Sequence, residues 1–116
     1  MAETVRIAFP TNDRIHVEEH FGHAKEFAFV NVESGKPGVA EFIVPPPHAP
    51  GVIPKFVGDH NANVIITGGM GQMAVDLFKQ QGIEVILGAQ GTIDDVISVY
   101  LEGTLESSGS VCDHQH

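Results

Sequence analysis

The chain has 116 residues, the size of one domain, and is 42% hydrophobic with seven Phe and no Trp. Its net charge of −9, from 15 acidic against 6 basic residues, repels phosphate backbones and anionic membranes, which disfavours general nucleic-acid binding and membrane adhesion. No apolar run approaches the ~20 residues that span a bilayer. No signal-peptide pattern opens the chain, and the single Cys112 cannot form an internal disulfide, so a cytoplasmic protein is the expectation.

Thr4 to Phe9 reads as a first strand, with Val5, Ile7 and Phe9 on one face and Pro10 ending it. A polar loop runs from Thr11 to about Lys25. Glu26 to Val32 alternates as a second strand, and Val39 to Val44 is a third, joined to it through the turn cluster 34–38 as an antiparallel hairpin. A proline-rich connector follows. Val52 to Asp59 is a short helix with Pro54 in its first turn. Val64 to Thr67 is a β-branched strand suited to burial on both faces.

Gln72 to Gln81 carries the apolar stripe Met73, Ala74, Leu77 and Phe78 of a second helix, stopped by Gly82. Ile83 to Leu87 is a fifth strand. Thr92 N-caps a last helix, with Asp94 and Asp95 at its start and Ile93, Val96, Ile97, Tyr100 and Leu101 as its apolar stripe. This order, with right-handed crossovers after the hairpin, predicts one α/β domain over residues 1–106 with a mixed five-stranded sheet. Residues 107–116 are predicted to be a flexible tail.

Three features can carry chemistry. Gly68-Gly69-Met70-Gly71-Gln72 joins a buried strand to a helix, where glycines admit a ligand close to backbone and the helix start offers free N–H groups to an anion. The same glycines also suit a plain tight turn. A full dinucleotide site is disfavoured, because the turn follows the fourth strand of a short chain. The loop 12–25 holds His16, His20 and His23 together with Arg14 and Lys25; imidazoles are good ligands for Fe, Cu, Zn and Ni, although the stretch also reads as a solvated loop anchored by Phe21. The tail places Cys112, His114 and His116 within five residues, a set able to capture a metal ion or an unstructured terminus. No G-x-S-x-G or H-E-x-x-H occurs, and the first strand lacks the carboxylates of a two-metal nuclease.

Two segments, with a third behind them, resemble one family. His20-Phe21-Gly22-His23-Ala24 followed by Phe27 is similar to an HFG-x-A/S-x-x-F signature. Residues 62–71, ending Thr67-Gly68-Gly69-Met70-Gly71, and the segment Leu87-Gly88-Ala89-x-Gly91-Thr92 resemble the second and third motifs of the same family. That family is the dinitrogenase iron–molybdenum cofactor biosynthesis domain, which includes NifX, NafY and the C-terminal part of many NifB proteins. The resemblance covers about Arg6 to Leu105. It implies a ribonuclease-H-like three-layer fold with three helices and strand order 3-2-1-4-5.

The resemblance further implies a non-enzymatic carrier for an iron–sulfur or molybdenum-containing cluster, with cluster-assembly or acceptor proteins as partners. Carried over by motif, His20 is the candidate metal contact. Phe21 and Gly22 shape the loop, Gly69 to Gly71 line the pocket with Gly68 and Gln72 beside them, Arg14 adds a cation and Met70 a soft thioether. Thiolates are missing from the domain body, so Cys₄ ligation is excluded and a transient carrier fits better. The competing reading is a regulatory or scaffolding domain that binds a small anion or nucleotide.

Overall fold

Alternation along two long strands sorts the apolar side chains onto opposite faces of one sheet. β1 (Thr4–Thr11) and β2 (Glu26–Glu33) pair antiparallel over their full length, from Thr4 opposite Glu33 to Thr11 opposite Glu26. Ile7, Phe9, Ala28 and Val30 fill one core cluster, whereas Ala8, Phe27 and Phe29 fill another. The structure is a computed structural model that describes residues 4–19, 24–47 and 51–101.

The helices cover those two faces. α1 (Val52–Asp59) and α2 (Gln72–Gln80) supply Ile53, Phe56, Val57, Val75 and Phe78 to the cluster with Phe27 and Phe29. α3 (Ile93–Leu101) supplies Ile93, Val96 and Ile97 to the cluster with Ile7 and Phe9. Phe9, Phe27, Phe29 and Phe78 are fully buried, and each such ring contributes about 1.5–3 kcal/mol of transfer free energy. β5 (Val64–Ile66) is buried along its whole length and runs parallel to β1, with β6 (Glu84–Ile86) parallel beyond it. The sheet is therefore mixed. β2, β1, β5 and β6 follow one another across it, and β3 (Lys36–Pro37) and β4 (Glu41–Ile43) share the far side of β2.

The expected third strand is thus two short strands, and the break has a local cause. Pro37 lies opposite Val32 and Glu41 opposite Phe29, so residues 38–40 face only Asn31 and Val30. This is a bulge of one residue. It turns Val39 out to 91% exposure. The hairpin itself closes through Ser34 and Gly35, both at positive φ, as a two-residue turn requires.

Two further expectations shift. β1 does not stop before Pro10 but runs on to Thr11, because β5 pairs only with Ile7 and Ala8. Among the described residues no strand pairs with that side of β1 beyond Ala8, and a proline is tolerated there. The buried stripe of α2 is also rotated: Val75 and Phe78 face the core while Met73 is 63% exposed.

Candidate functional site

The carboxyl ends of β1, β5 and β6 lie along one edge of the sheet, and the loop after β1 runs across them. This loop begins with an Asp that organises backbone. Asp13 Oδ1 accepts from the N–H groups of Ile15 and His16 at 2.9 and 2.8 Å. Its Oδ2 bonds His16 Nδ1 at 2.7 Å. The His16 backbone N–H is the main cause of a carboxyl held well below the usual carboxylate range, helped by the His16 ring and the Ile15 N–H. Asp13 therefore stays ionised. Thr11, fully buried, accepts from the Arg14 N–H at 3.0 Å and fixes the start of the same turn.

From there the loop is stitched to the segments that follow β6 and β5. Ile93 N donates to Ile15 O at 2.8 Å, and Val17 N donates to Gly91 O at 3.0 Å. Thr67, also fully buried, donates its hydroxyl to Glu18 O at 3.2 Å. Glu19 then lies directly on the glycine turn. A Cβ on Gly68 would stand 2.8 Å from Glu19 Cα and 2.9 Å from its carbonyl oxygen. Gly68 is thus required by the close approach of two backbones. The far flank is held as well: Asn12 donates to Glu18 Oε1 at 2.8 Å and accepts from the Lys25 N–H at 2.7 Å. Both chain ends flanking residues 20–23 are thereby tied to Asn12 and the glycine turn.

The structure places the remaining expected residues as follows. Gly71 caps α2 in extended conformation with no side-chain hydrogen bond, and the first turn of α2 carries no acidic residue. Gly71 and Gln72 are exposed, which leaves the helix start open to an anion. Gln72 itself donates to Asp76. Gly69 is half-buried at the turn. Met70 is 3% exposed and belongs to the core cluster of Phe27, Phe29 and Phe78. Arg14 forks onto Glu26 at 2.9 and 2.8 Å and lies over the Phe42 ring. Its charge is matched there rather than at the glycine turn. Arg14, Ile15, Phe42, Thr92 and Asp94 line a cavity of about 230 Å³ on that flank. His20, Phe21 and Gly22, like Cys112, His114 and His116, lie outside the described residues.

Motif reading missed the residues that hold the loop. Asn12 and Asp13 are Asx residues at the end of a strand, a composition that signals backbone-bonding turns. Their partners His16, Glu18 and Lys25, further along the same loop, carry no such signal.

A family model described as dinitrogenase iron-molybdenum cofactor matches residues 3–103. The chain belongs to the dinitrogenase iron–molybdenum cofactor family. A Methanocaldococcus jannaschii relative, the uncharacterized protein MJ0580, is 32% identical over 107 residues, which cover 88% of this chain and 90% of that one. The crystal structure of PH0822 is similar with a TM-score of 0.82 and 34% identity, covering 90% of this chain and 96% of its own. The apo form of the orange protein from Desulfovibrio gigas shares the fold, with a TM-score of 0.72 and 22% identity over 94% and 97% of the two chains. Two of the three motif segments, the Gly68 turn and the Gly91-Thr92 segment, meet the loop after β1 at the sheet edge through residues 15–19, while residues 20–23 of the first motif lie outside the described residues.

Proposed function

We propose that the protein is a non-enzymatic carrier that holds an iron–sulfur or molybdenum-containing cluster as cargo at the carboxyl edge of a ribonuclease-H-like sheet. The observation that carries this reading is the contact of Glu19 with Gly68, which brings the chain into the His20-Phe21-Gly22 segment against the glycine turn. Family membership supports the cargo class. The donor set fits such a cargo. Metal–sulfur clusters of this kind are anionic, and the edge offers the N–H groups of Gly71 and Gln72 at a helix start with no side-chain cap among the described residues. No three His, Cys, Asp or Glu side chains converge as a metal cage among the described residues. His20 is the metal contact in this reading, Phe21 and Gly22 shape its loop, and Cys112, His114 and His116 form a secondary capture site.

Anoxic incubation with iron, sulfide and tetrathiomolybdate, followed by visible absorption and elemental analysis, tests the proposal. Colour and stoichiometric metal are expected, and His20→Ala should reduce both. Failure to load any cluster, with a nucleotide raising Tm instead, would replace the carrier with a nucleotide-binding regulator. Truncation after Ser110 isolates the part played by the tail.

A further inference from the structure

Two imidazoles are described in the structure, and they are held differently. His60 Nδ1 donates to the Phe56 carbonyl at 2.9 Å, and its ring stacks on Phe29 at 5.2 Å, half-buried. His16 Nδ1 instead meets the Asp13 carboxylate at 2.7 Å, and its side chain is 60% exposed. Asp13 is in turn fixed by the backbone N–H groups of Ile15 and His16. An ionised carboxylate is an acceptor only, so it selects the Nδ1–H form of the ring. The lone pair is then left on Nε2 of this exposed ring. A carboxylate behind an imidazole fixes the tautomer and ring orientation of metal-binding histidines and raises their basicity.

We propose that His16 is a metal-bonding residue, with Nε2 as the ligand atom for a borderline transition-metal ion and Asp13 as its positioning residue. His16 lies on the loop that continues through Val17 and Glu18 to the glycine turn, so the bond it offers stands on the approach to the cargo edge. The inference rests on the carrier reading for its biological cargo, though not for the metal bond itself. His16 supplies one bond. The other positions of the ion stay with its own sulfides, chelate or water.

The probe is Cu²⁺ held by iminodiacetate, which leaves positions open for one imidazole, with ¹H–¹⁵N spectra of the histidine rings as the readout. In the native chain, His16 should carry its proton on Nδ1, and the chelate should broaden its ring signals before those of His60. In Asp13→Asn the amide oxygen can keep accepting the two backbone N–H groups while the NH₂ faces the ring. The proton should then move to Nε2, and affinity at this site should fall 10–100-fold, the usual loss when such a carboxylate is removed. His16→Asn keeps a donor near the Nδ1 position and deletes Nε2, so the loop should keep its amide spectrum while chelate binding there disappears. A native His16 protonated on Nε2, or equal affinity in native and Asp13→Asn chains, overturns the proposal. Loading with iron, sulfide and tetrathiomolybdate separates the two ideas. Copper chelate at His16 without cluster uptake sinks the carrier reading alone. Equal cluster uptake and equal chelate binding in the native chain and His16→Asn sink the His16 assignment alone.

Discussion

The surroundings of His60 and those of His16 use the same residue types for opposite ends. Around His60, side chains hold other side chains as well as backbone. Arg6 donates to His60 O, Asn31 and Glu41 at 2.6 to 3.0 Å while lying over Phe29, and Phe29 and Phe56 meet edge to face. Along the carboxyl edge, side chains mostly hold backbone: Asp13 the N–H groups of residues 15 and 16, Asn12 that of Lys25, Thr67 the carbonyl of Glu18. The first arrangement closes a surface. The second fixes a loop in place over the ends of the strands, which is what a binding edge needs. Lesions in the two regions should therefore separate stability from loading.

The largest effect belongs to the closed region. Phe29→Ala removes a fully buried ring shared by Phe56 and His60 and should lower stability by about 3–5 kcal/mol, read from urea unfolding. Cluster loading per folded molecule should stay at the native level. A parallel loss of loading at low denaturant would join the two regions into one.

Next comes the glycine turn, where two neighbouring substitutions should diverge. Gly68→Ala drives a methyl group into the Glu19 backbone, which cannot swing aside as a side chain would. We expect about 1–3 kcal/mol of destabilisation from such overpacking, with loss of loading. At Gly71, φ is −72° and a Cβ would meet nothing within 4 Å among the described residues, so Gly71→Ala should fold normally. Any loading defect in that variant would then report directly on space needed by the cargo. Equal behaviour of the two variants would remove the Glu19 contact from the argument.

Thr92→Ala should have a smaller effect. Thr92 Oγ1 accepts from Asp95 N at 3.1 Å as the N-cap of α3, and its loss should cost about 1 kcal/mol. The neighbouring bond from Ile93 N to Ile15 O ties that cap to the loop, so the amide signals of residues 15–17 should shift with it.

Much of this architecture was legible in the residues. Period-two alternation in β1 and β2, the β-branched run of β5 and the cap at Thr92 each state their structure locally. The bulge at 38–40 was not legible, since it arises from the register of β2 rather than from anything in Gly38-Val39-Ala40. The phase of α2 was missed for a similar reason: Met73 and Val75 are both apolar, and only the position of the helix over Phe27 and Phe29 decides which one is buried. At the site, the glycine turn announced itself, but its partner did not. That Gly68 serves Glu19 follows from a contact 49 positions away in the chain, and the pairing of Arg14 with Glu26 comes from the same long-range folding.

The smallest expected effect is on acidification, and it again divides the regions. Asp13 and Glu26 are both held below their ordinary values, Asp13 chiefly through the His16 N–H and Glu26 chiefly through its hydrogen bond from Arg14. A carboxyl whose folded pKa is depressed binds fewer protons in the folded state than in the unfolded one. Its contribution is complete above the unfolded value and is lost as pH falls through the folded one. The part these two carboxylates play in the loop should therefore be unchanged from about pH 7 down to about 5 and be lost progressively below about 4, where unfolded carboxylates titrate. Both groups are solvent-accessible, so the change in global stability should be small. Amide signals of Ile15 and His16, followed by NMR, should move in that window while those of Phe29 and Val57 hold still. Glu26→Gln should shift the loop's transition without moving the body of the sheet. If the body and the loop lose their signals together at one pH, the edge is no separate unit, and its ordering must be credited to the core beneath it.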